Sequence, residues 1–176
     1  TFVLPCWMTN PLNILDKESR VLVIHIPEDL PEDVVAAIIN EKAVCNRTKT
    51  LLYSLNAGSV AVIKKLMKQL GEVENMYKAD FHFSKDCERL SDAVKALEKA
   101  PLFITDRELT ASELQTDVRK VLESAAPPRT RHRTVIVDDI ISLKDMTTIG
   151  LIDRKKANLL VKELSIIAKQ FSVSFV

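Results

Sequence analysis

Glycine is scarce in this sequence. Only Gly58, Gly71 and Gly150 occur among the 176 residues, and none is followed by lysine. The pattern GxxxxGK followed by serine or threonine, whose amides and lysine cradle nucleotide phosphates, is therefore absent from these residues. A triphosphate bound by these residues alone would lack most of the donors that such a loop supplies. No low-complexity run is present either, which argues against a disordered or fibrous chain.

The chain also has few cysteines, few aromatic residues and little net charge. The chain has three widely spaced cysteines and no CxxC pair, which fits reduced thiols in a cytoplasmic protein better than a disulfide framework. Aromatic residues make up 5% of the chain, so no stacking platform for single strands is indicated. The net charge of +1 argues against one strongly basic face, and any DNA contact is expected through a few loops. No apolar run approaches a membrane span and no basic leader begins the sequence, so neither a membrane segment nor a signal peptide is expected.

Short apolar runs alternate with longer amphipathic stretches. The runs are Arg20–Ile26, Leu102–Thr105, Thr134–Asp138 and Ser172–Val176. Such near-continuous runs are typical of strands that are buried on both faces. Between them, apolar residues at helical spacing predict helices after Pro31, from Ser59 to about Val73, around Leu90–Leu97, after Thr110 and over Leu160–Phe171. The sequence TASE at residues 110–113 predicts a capping box at the start of the fourth of these helices. We therefore expect one α/β domain spanning residues 1–176, with a mostly parallel sheet and helices on both faces.

Two acidic residues follow predicted strands, where ligands gather in open α/β sheets. Asp138 ends the run TVIVD and could lie beside a magnesium ion that bridges nucleotide phosphates, usually through water, although an aspartate here also commonly starts a loop. Glu28 follows the run RVLVIHI and Pro27, and it could orient and deprotonate a water molecule. It could equally be an acidic residue at a helix start that the helix dipole stabilises.

Other candidates are weaker. His25 lies inside an apolar run with no second metal ligand at useful spacing, so a hydrogen-bonded histidine of the core is favoured. Basic clusters occur at Arg129–Arg133 and at Arg154–Lys156, and either could contact phosphate. Each of these residues, taken singly, is more simply explained as a solvated surface charge.

Three stretches together resemble DnaB-family replicative DNA helicases. Val21–Ala43 is similar to the family's strand, catalytic glutamate and following helix, and Glu28 and Glu32 keep the order of its acids. Pro101–Leu122 resembles its short strand, acidic turn and helix, and Thr134–Val176 resembles its magnesium-site strand, long helix and next strand. The sequence IPED, at residues 26–29, is also similar to a stretch of the related plasmid RepA-type hexameric helicases.

The resemblance implies a RecA-like core of the P-loop NTPase class, a hexameric ring, ATP and Mg²⁺ as cofactors, and translocation on single-stranded DNA. It implies that Glu28 is the catalytic base, that Asp138 is the acid of the magnesium site and that Thr1 is a nucleotide-binding residue. Lys144, Arg154 and Lys155 would belong to a DNA-facing loop. A helicase loader or primase is an implied partner.

Departures from the family pattern leave alternatives open. The phosphate loop is missing, Pro27 precedes the glutamate, and the sequence stops before the family's polar sensor and arginine finger, so we expect a motor domain that is incomplete at both ends. The alternative is a catalytically inactive helicase-like protein, of phage or plasmid type, that binds and regulates a replicative helicase or its loader. A RecA-fold protein of another lineage is a third possibility, because one fold hosts many functions.

Overall fold

Strands and helices alternate along the chain, as the sequence pattern predicts. The computed structural model describes Val21 and residues 34–72, 83–124, 133–148 and 151–176. The helices are α1 (Val34–Ile39), continued by a π-helical turn (Asn40–Cys45), α2 (Ser59–Leu70), α3 (Phe83–Glu98), α4 (Ala111–Ser124) and α5 (Arg154–Phe171). The strands are β1 (Lys49–Ser54), β2 (Leu102–Thr105), β3 (Arg133–Asp138), β4 (Thr147–Thr148), β5 (Leu151–Ile152) and β6 (Val173–Phe175).

The main sheet is parallel and has the strand order β2-β1-β3-β6. Strand β1 pairs with β3 along its whole length, from Lys49 opposite Arg133 to Ser54 opposite Asp138. Val21 forms a parallel bridge with Phe175, so the chain at Val21 lies beside β6. The short strands β4 and β5 pair antiparallel in a separate hairpin. The predicted α/β fold is confirmed, and β1, for which the sequence pattern predicts no strand, lies between β2 and β3 in the main sheet.

Helices cover both faces of the sheet because successive side chains of each strand point to opposite sides. On one face, Tyr53 and Val135 belong to a buried cluster with residues of α4 and α5. On the other face, Leu52 and Ile136 belong to a cluster with residues of α1 and α2. Each fully buried aliphatic side chain contributes about 1.5–3 kcal/mol relative to an exposed one, so the two clusters stabilise the sheet from both sides.

Two helix starts fix the loops at one edge of the sheet. Helix α4 begins with the predicted capping box, in which the Thr110 amide donates to Glu113 Oε2 (2.7 Å) and the Glu113 amide donates to Thr110 Oγ1 (3.3 Å). Helix α2 is capped from another strand, because Asp106, just after β2, accepts from both the amide (3.1 Å) and the hydroxyl (2.7 Å) of Ser59. Gly58, with φ +77°, makes the turn that leads into α2, a conformation that L side chains rarely adopt.

Candidate functional site

The carboxyl ends of β1 and β3 bring two polar side chains together. Ser54 ends β1, Asp138 ends β3, and the two residues are register partners. Since side chains alternate along a strand, both lie on the face that carries Leu52, Ile136 and the helices α1 and α2. This edge of an open parallel sheet is where ligands bind in such folds. The structure therefore places Asp138 at the position that the sequence predicts for it.

The Asp138 carboxylate is half-buried and, in the described part of the chain, has no direct partner. Burial raises the pKa of Asp138 above its usual range, the neighbouring Asp139 adds to that increase, and the charge of Lys65 on α2 opposes it. No hydrogen bond or ion pair engages this carboxylate among the residues that the structure describes. A partly desolvated carboxylate without a partner favours a cation or a donor in its vicinity.

The other acids near this edge are engaged in turns. Asp106 caps α2, and its hydrogen bonds from Ser59 lower its pKa. Asp139 has a left-handed backbone (φ 61°) and accepts from the Ile141 amide (3.1 Å) and the Ser142 hydroxyl (2.6 Å). Their carboxylates hold the backbone in place. Among the described acids of this edge, Asp138 is the one whose oxygens remain available.

Sequence reasoning missed Ser54. Its side chain is 1% exposed, and its hydroxyl has no hydrogen-bond partner within the described part of the chain. The run KTLLYS has three consecutive apolar or aromatic residues with polar residues on both sides, so its hydrophobic pattern is weak. The signals that could have found this strand are the run LLY and the turn residues Asn56 and Gly58 that follow it.

The donor chemistry of this edge suits magnesium bound together with phosphates. Mg²⁺ prefers oxygen ligands, keeps several waters, and is usually held by one or two carboxylates plus substrate phosphates. Asp138 supplies one such carboxylate, and Ser54 supplies a buried hydroxyl beside it. No group of three or more His, Cys, Asp or Glu side chains that could enclose a metal ion occurs in the described ranges. A cation here would accordingly depend on nucleotide oxygens and water for its remaining ligands.

The predicted DNA-facing segment Lys144–Lys155 contains the β4–β5 hairpin and the start of α5. The Lys144 ammonium lies 3.3 Å from Glu108 Oε2, and both side chains are exposed. Arg154 and Lys155 are exposed in the first turn of α5, and in the described residues neither forms an ion pair. These three exposed cations lie in one segment, which begins six residues after Asp138.

Lys156 has a structural role in the same segment. Its ammonium lies 2.7 Å from Asp145 Oδ2 and donates to the Asp145 carbonyl (2.9 Å). Asp145 also accepts from the Ala111 amide at the start of α4 (2.8 Å). Burial pushes the pKa of Asp145 up, but the hydrogen bonds from Lys156 and Ala111 outweigh it and leave that pKa below its usual value. These contacts join the loop before β4 to both α4 and α5.

Two predicted site residues, Thr1 and Glu28, lie outside the described residues. Their assignments as nucleotide-binding residue and catalytic base stay predictions. The bridge between Val21 and Phe175 shows that the chain seven residues before Glu28 lies next to β6. The strand beside Asp138 is β1, through the pairing of β1 with β3.

Residues 33–176 match the DnaB-like helicase C-terminal domain family. The chain belongs to this family. The match includes β1, β3 and Asp138 and begins after Glu28. No curated protein sequence matches the chain.

Two solved structures have a similar fold. One is a DnaB-like replicative helicase, solved in a study of its interactions with primase. It matches with a TM-score of 0.69 and 18% identity, and the match covers 93% of this chain and 41% of the helicase chain. The other is an ATPase domain with a TM-score of 0.69 and 19% identity, covering 90% of this chain and 56% of that domain. At these identities the likeness establishes a RecA-like fold, as the resemblance implies. The chain therefore spans about two-fifths of the length of the first protein and a little over half of the second.

The described helices contain no segment that is both long and apolar enough to cross a membrane. Cys45 and Cys87 are free and exposed thiols. Neither finding adds a ligand to the edge formed by Ser54 and Asp138.

Proposed function

We propose that this family member is a cytoplasmic replicative DNA helicase motor domain, or a part of one, spanning residues 1–176. In this proposal it uses ATP to move along single-stranded DNA as one subunit of a hexameric ring. The observation that carries the proposal is the Asp138 carboxylate, half-buried and without a partner among the described residues, at the carboxyl end of a central parallel strand. Primase or a helicase loader is the proposed partner, since a relative of similar fold was studied with primase.

The proposed division of labour follows the chemistry of the edge. Asp138 would hold the magnesium ion through a water molecule. Magnesium neutralises the charge that develops on nucleotide phosphates. We assign the role of base to Glu28, as the resemblance implies. Asp106 and Asp139 already accept hydrogen bonds, from Ser59 and from Ser142 respectively. Thr1 is proposed to contribute to the nucleotide site.

Mg-ATP is expected to stabilise this protein if the proposal holds. A ligand that binds only the folded state at 100 times its Kd adds about 2.7 kcal/mol of stability, which raises the melting temperature of a chain this long by about 5–10 °C. The measurement is thermal unfolding with Mg-ATP, with ATP plus EDTA, and with Mg²⁺ alone. Absence of any shift with millimolar Mg-ATP contradicts the motor function of this chain.

The surface cations Lys144, Arg154 and Lys155 are the proposed DNA contacts. Arg154 and Lys155 lie in the first turn of α5, where positive charge opposes the helix dipole, so helix stability does not explain their presence. Phosphate contacts from such residues release counterions and make binding dependent on salt.

We expect the double variant Arg154→Ala/Lys155→Ala to bind single-stranded DNA more weakly without loss of stability. Each phosphate contact on a single strand contributes about 0.7 to the slope of log affinity against log salt, so the slope should fall by about 1.4. The measurement is oligonucleotide binding by fluorescence anisotropy across a salt series. Lys156→Ala is the matched control and should lower the melting temperature, because Lys156 holds Asp145. An unchanged affinity and slope in the double variant would remove these residues from the DNA surface.

A second candidate function rests on the missing phosphate loop. GxxxxGK does not occur in the 176 residues, and a helicase-like chain without such a loop could bind a replicative helicase or its loader and regulate it. This alternative predicts capture of a purified replicative helicase together with no thermal response to Mg-ATP. A response to Mg-ATP without such capture favours the motor.

A further inference from the structure

The Ser54 hydroxyl is a buried polar group without a partner. It is 1% exposed and has no hydrogen bond within the described residues. Leaving such a group unsatisfied is costly, and native proteins usually pair it with protein or with an ordered ligand. Thr50 lies four residues before Ser54 on the same face of β1 and is equally buried. Its hydroxyl, however, donates to the Thr48 carbonyl (2.9 Å). On this face of β1 the unpartnered hydroxyl therefore lies at the end of the strand, next to Asp138.

The neighbour of Ser54 across the strand pair is Asp138. Adjacent parallel strands lie about 4.8 Å apart, and register partners point to the same face, so one small ligand can contact both side chains. The carboxylate offers acceptor oxygens, whereas the hydroxyl can donate one hydrogen bond and accept others. A hydrated cation presents water molecules that are strong donors. One water on the cation could donate to Ser54 while another donates to the carboxylate.

We propose that Ser54 is a positioning residue that holds the hydration shell of a magnesium ion against Asp138. This inference rests on the proposed function, since it requires a magnesium–nucleotide site at this edge. In this arrangement Ser54 accepts from one magnesium-bound water and the Asp138 carboxylate accepts from another. Folding without the ion leaves the hydroxyl unsatisfied, so Ser54 lowers the stability of the free protein and strengthens its response to magnesium.

The test compares Ser54→Ala with the wild type by two readouts. Without ligand, Ser54→Ala should raise the melting temperature by about 2–4 °C, because it removes an unsatisfied buried hydroxyl. At a fixed, saturating ATP concentration, it should raise the Mg²⁺ concentration for half-maximal stabilisation about 10-fold, the usual loss when a group that orients a metal's ligands is removed. Ser54→Cys, similar in size but a weak hydrogen bonder, should show the same higher Mg²⁺ requirement if the alanine variant does not fold.

Thr50→Val is the matched control. It removes a satisfied hydroxyl on the same strand face, so it should lower the melting temperature and leave the Mg²⁺ requirement unchanged. If Ser54→Ala instead destabilises the free protein as Thr50→Val does, a structural water satisfies Ser54 and the inference is overturned. An unchanged Mg²⁺ requirement in Ser54→Ala, in a protein whose wild type responds to Mg-ATP, also overturns it and leaves the proposed function standing. No response in the wild type removes both.

Discussion

Asp138→Asn is expected to raise the Mg²⁺ concentration needed for stabilisation by ATP about 100-fold and, at neutral pH, to make the ligand-free protein more stable. The first effect follows from the loss of the anionic oxygen that would hold the cation through water. Removing a group that orients a bound metal typically lowers metal affinity 10- to 100-fold, and a direct charge partner should lie at the upper end of that range. The measurement is the Mg²⁺ concentration that gives half-maximal thermal stabilisation at saturating ATP.

The second effect follows from the pKa of the same carboxyl. Burial raises the pKa of Asp138 above its ordinary value of 3.8, so the folded state holds this proton more tightly than the unfolded chain does. Stability linked to this group is therefore fully present below pH 3.8 and is lost as the pH rises through the raised pKa. At neutral pH the ionised carboxylate is a cost to folding, and the neutral amide removes it. Because Asp138 is only half-buried, solvent screening keeps the expected gain to a rise of a few degrees in melting temperature.

Asp139→Asn is the control for this prediction. Asp139 lies next in sequence, but its carboxylate accepts from Ile141 and Ser142, so its substitution should alter the turn and leave the Mg²⁺ requirement unchanged. Asparagine also tolerates the left-handed backbone at this position. A magnesium response that survives in Asp138→Asn and disappears in Asp139→Asn would show that the cation site is assigned to the wrong carboxylate.

The predictable parts of the fold are those with long, unambiguous patterns. The strands ending at Thr105, Asp138 and Phe175 were evident as apolar runs, and the α4 start was evident from its capping box. Strand β1 was not predicted, because its buried face alternates polar and apolar residues and the run is short. The two-residue strands β4 and β5 carry no periodic signal at all.

The site could be predicted only in part for the same reason. Asp138 follows a clear apolar run, so its place at the sheet edge could be inferred from the sequence. Ser54 could not, because its significance depends on which strand pairs with β3 and on a missing hydrogen-bond partner. Which strands pair, and whether a buried polar group finds a hydrogen-bond partner, depends on residues far apart in the sequence, so local sequence patterns do not reveal it. The role of Thr1 rests on the resemblance alone, whereas that of Glu28 rests on the resemblance and on its place after an apolar run.

Asp117→Ala should give the largest loss of stability among these substitutions. The fully buried Tyr53 on β1 donates its phenol proton to Asp117 Oδ2 on α4 (2.9 Å), and Arg107 lies 2.6 Å from Asp117 Oδ1. Removing the carboxylate leaves a buried phenol without its acceptor, which costs about 1–3 kcal/mol. The measurement is urea unfolding of the variant at neutral pH.

Tyr53→Phe separates the two halves of this network. It removes the phenol and its need for an acceptor, while Asp117 keeps Arg107, so its cost should be smaller than that of Asp117→Ala, about 0.5–1.5 kcal/mol. In the double variant the orphaned phenol no longer exists, and the two costs should sum to more than the measured loss. Additive costs would mean that Tyr53 and Asp117 stabilise the fold independently.

Alkaline pH gives a further signature of the same contact. Burial, followed by the hydrogen bond to Asp117, raises the pKa of Tyr53 well above its ordinary value of 10.0. Because the neutral phenol is favoured in the fold, this stability is complete below pH 10.0 and is lost as the pH rises toward the folded pKa. Tyr53→Phe should therefore flatten the fall in stability above pH 10.0.

The same contact also bears on the edge that contains Asp138. Tyr53 immediately precedes Ser54, so its hydrogen bond to Asp117 fixes the end of β1 that faces Asp138. Asp117→Ala should therefore raise the Mg²⁺ requirement more than Tyr53→Phe does.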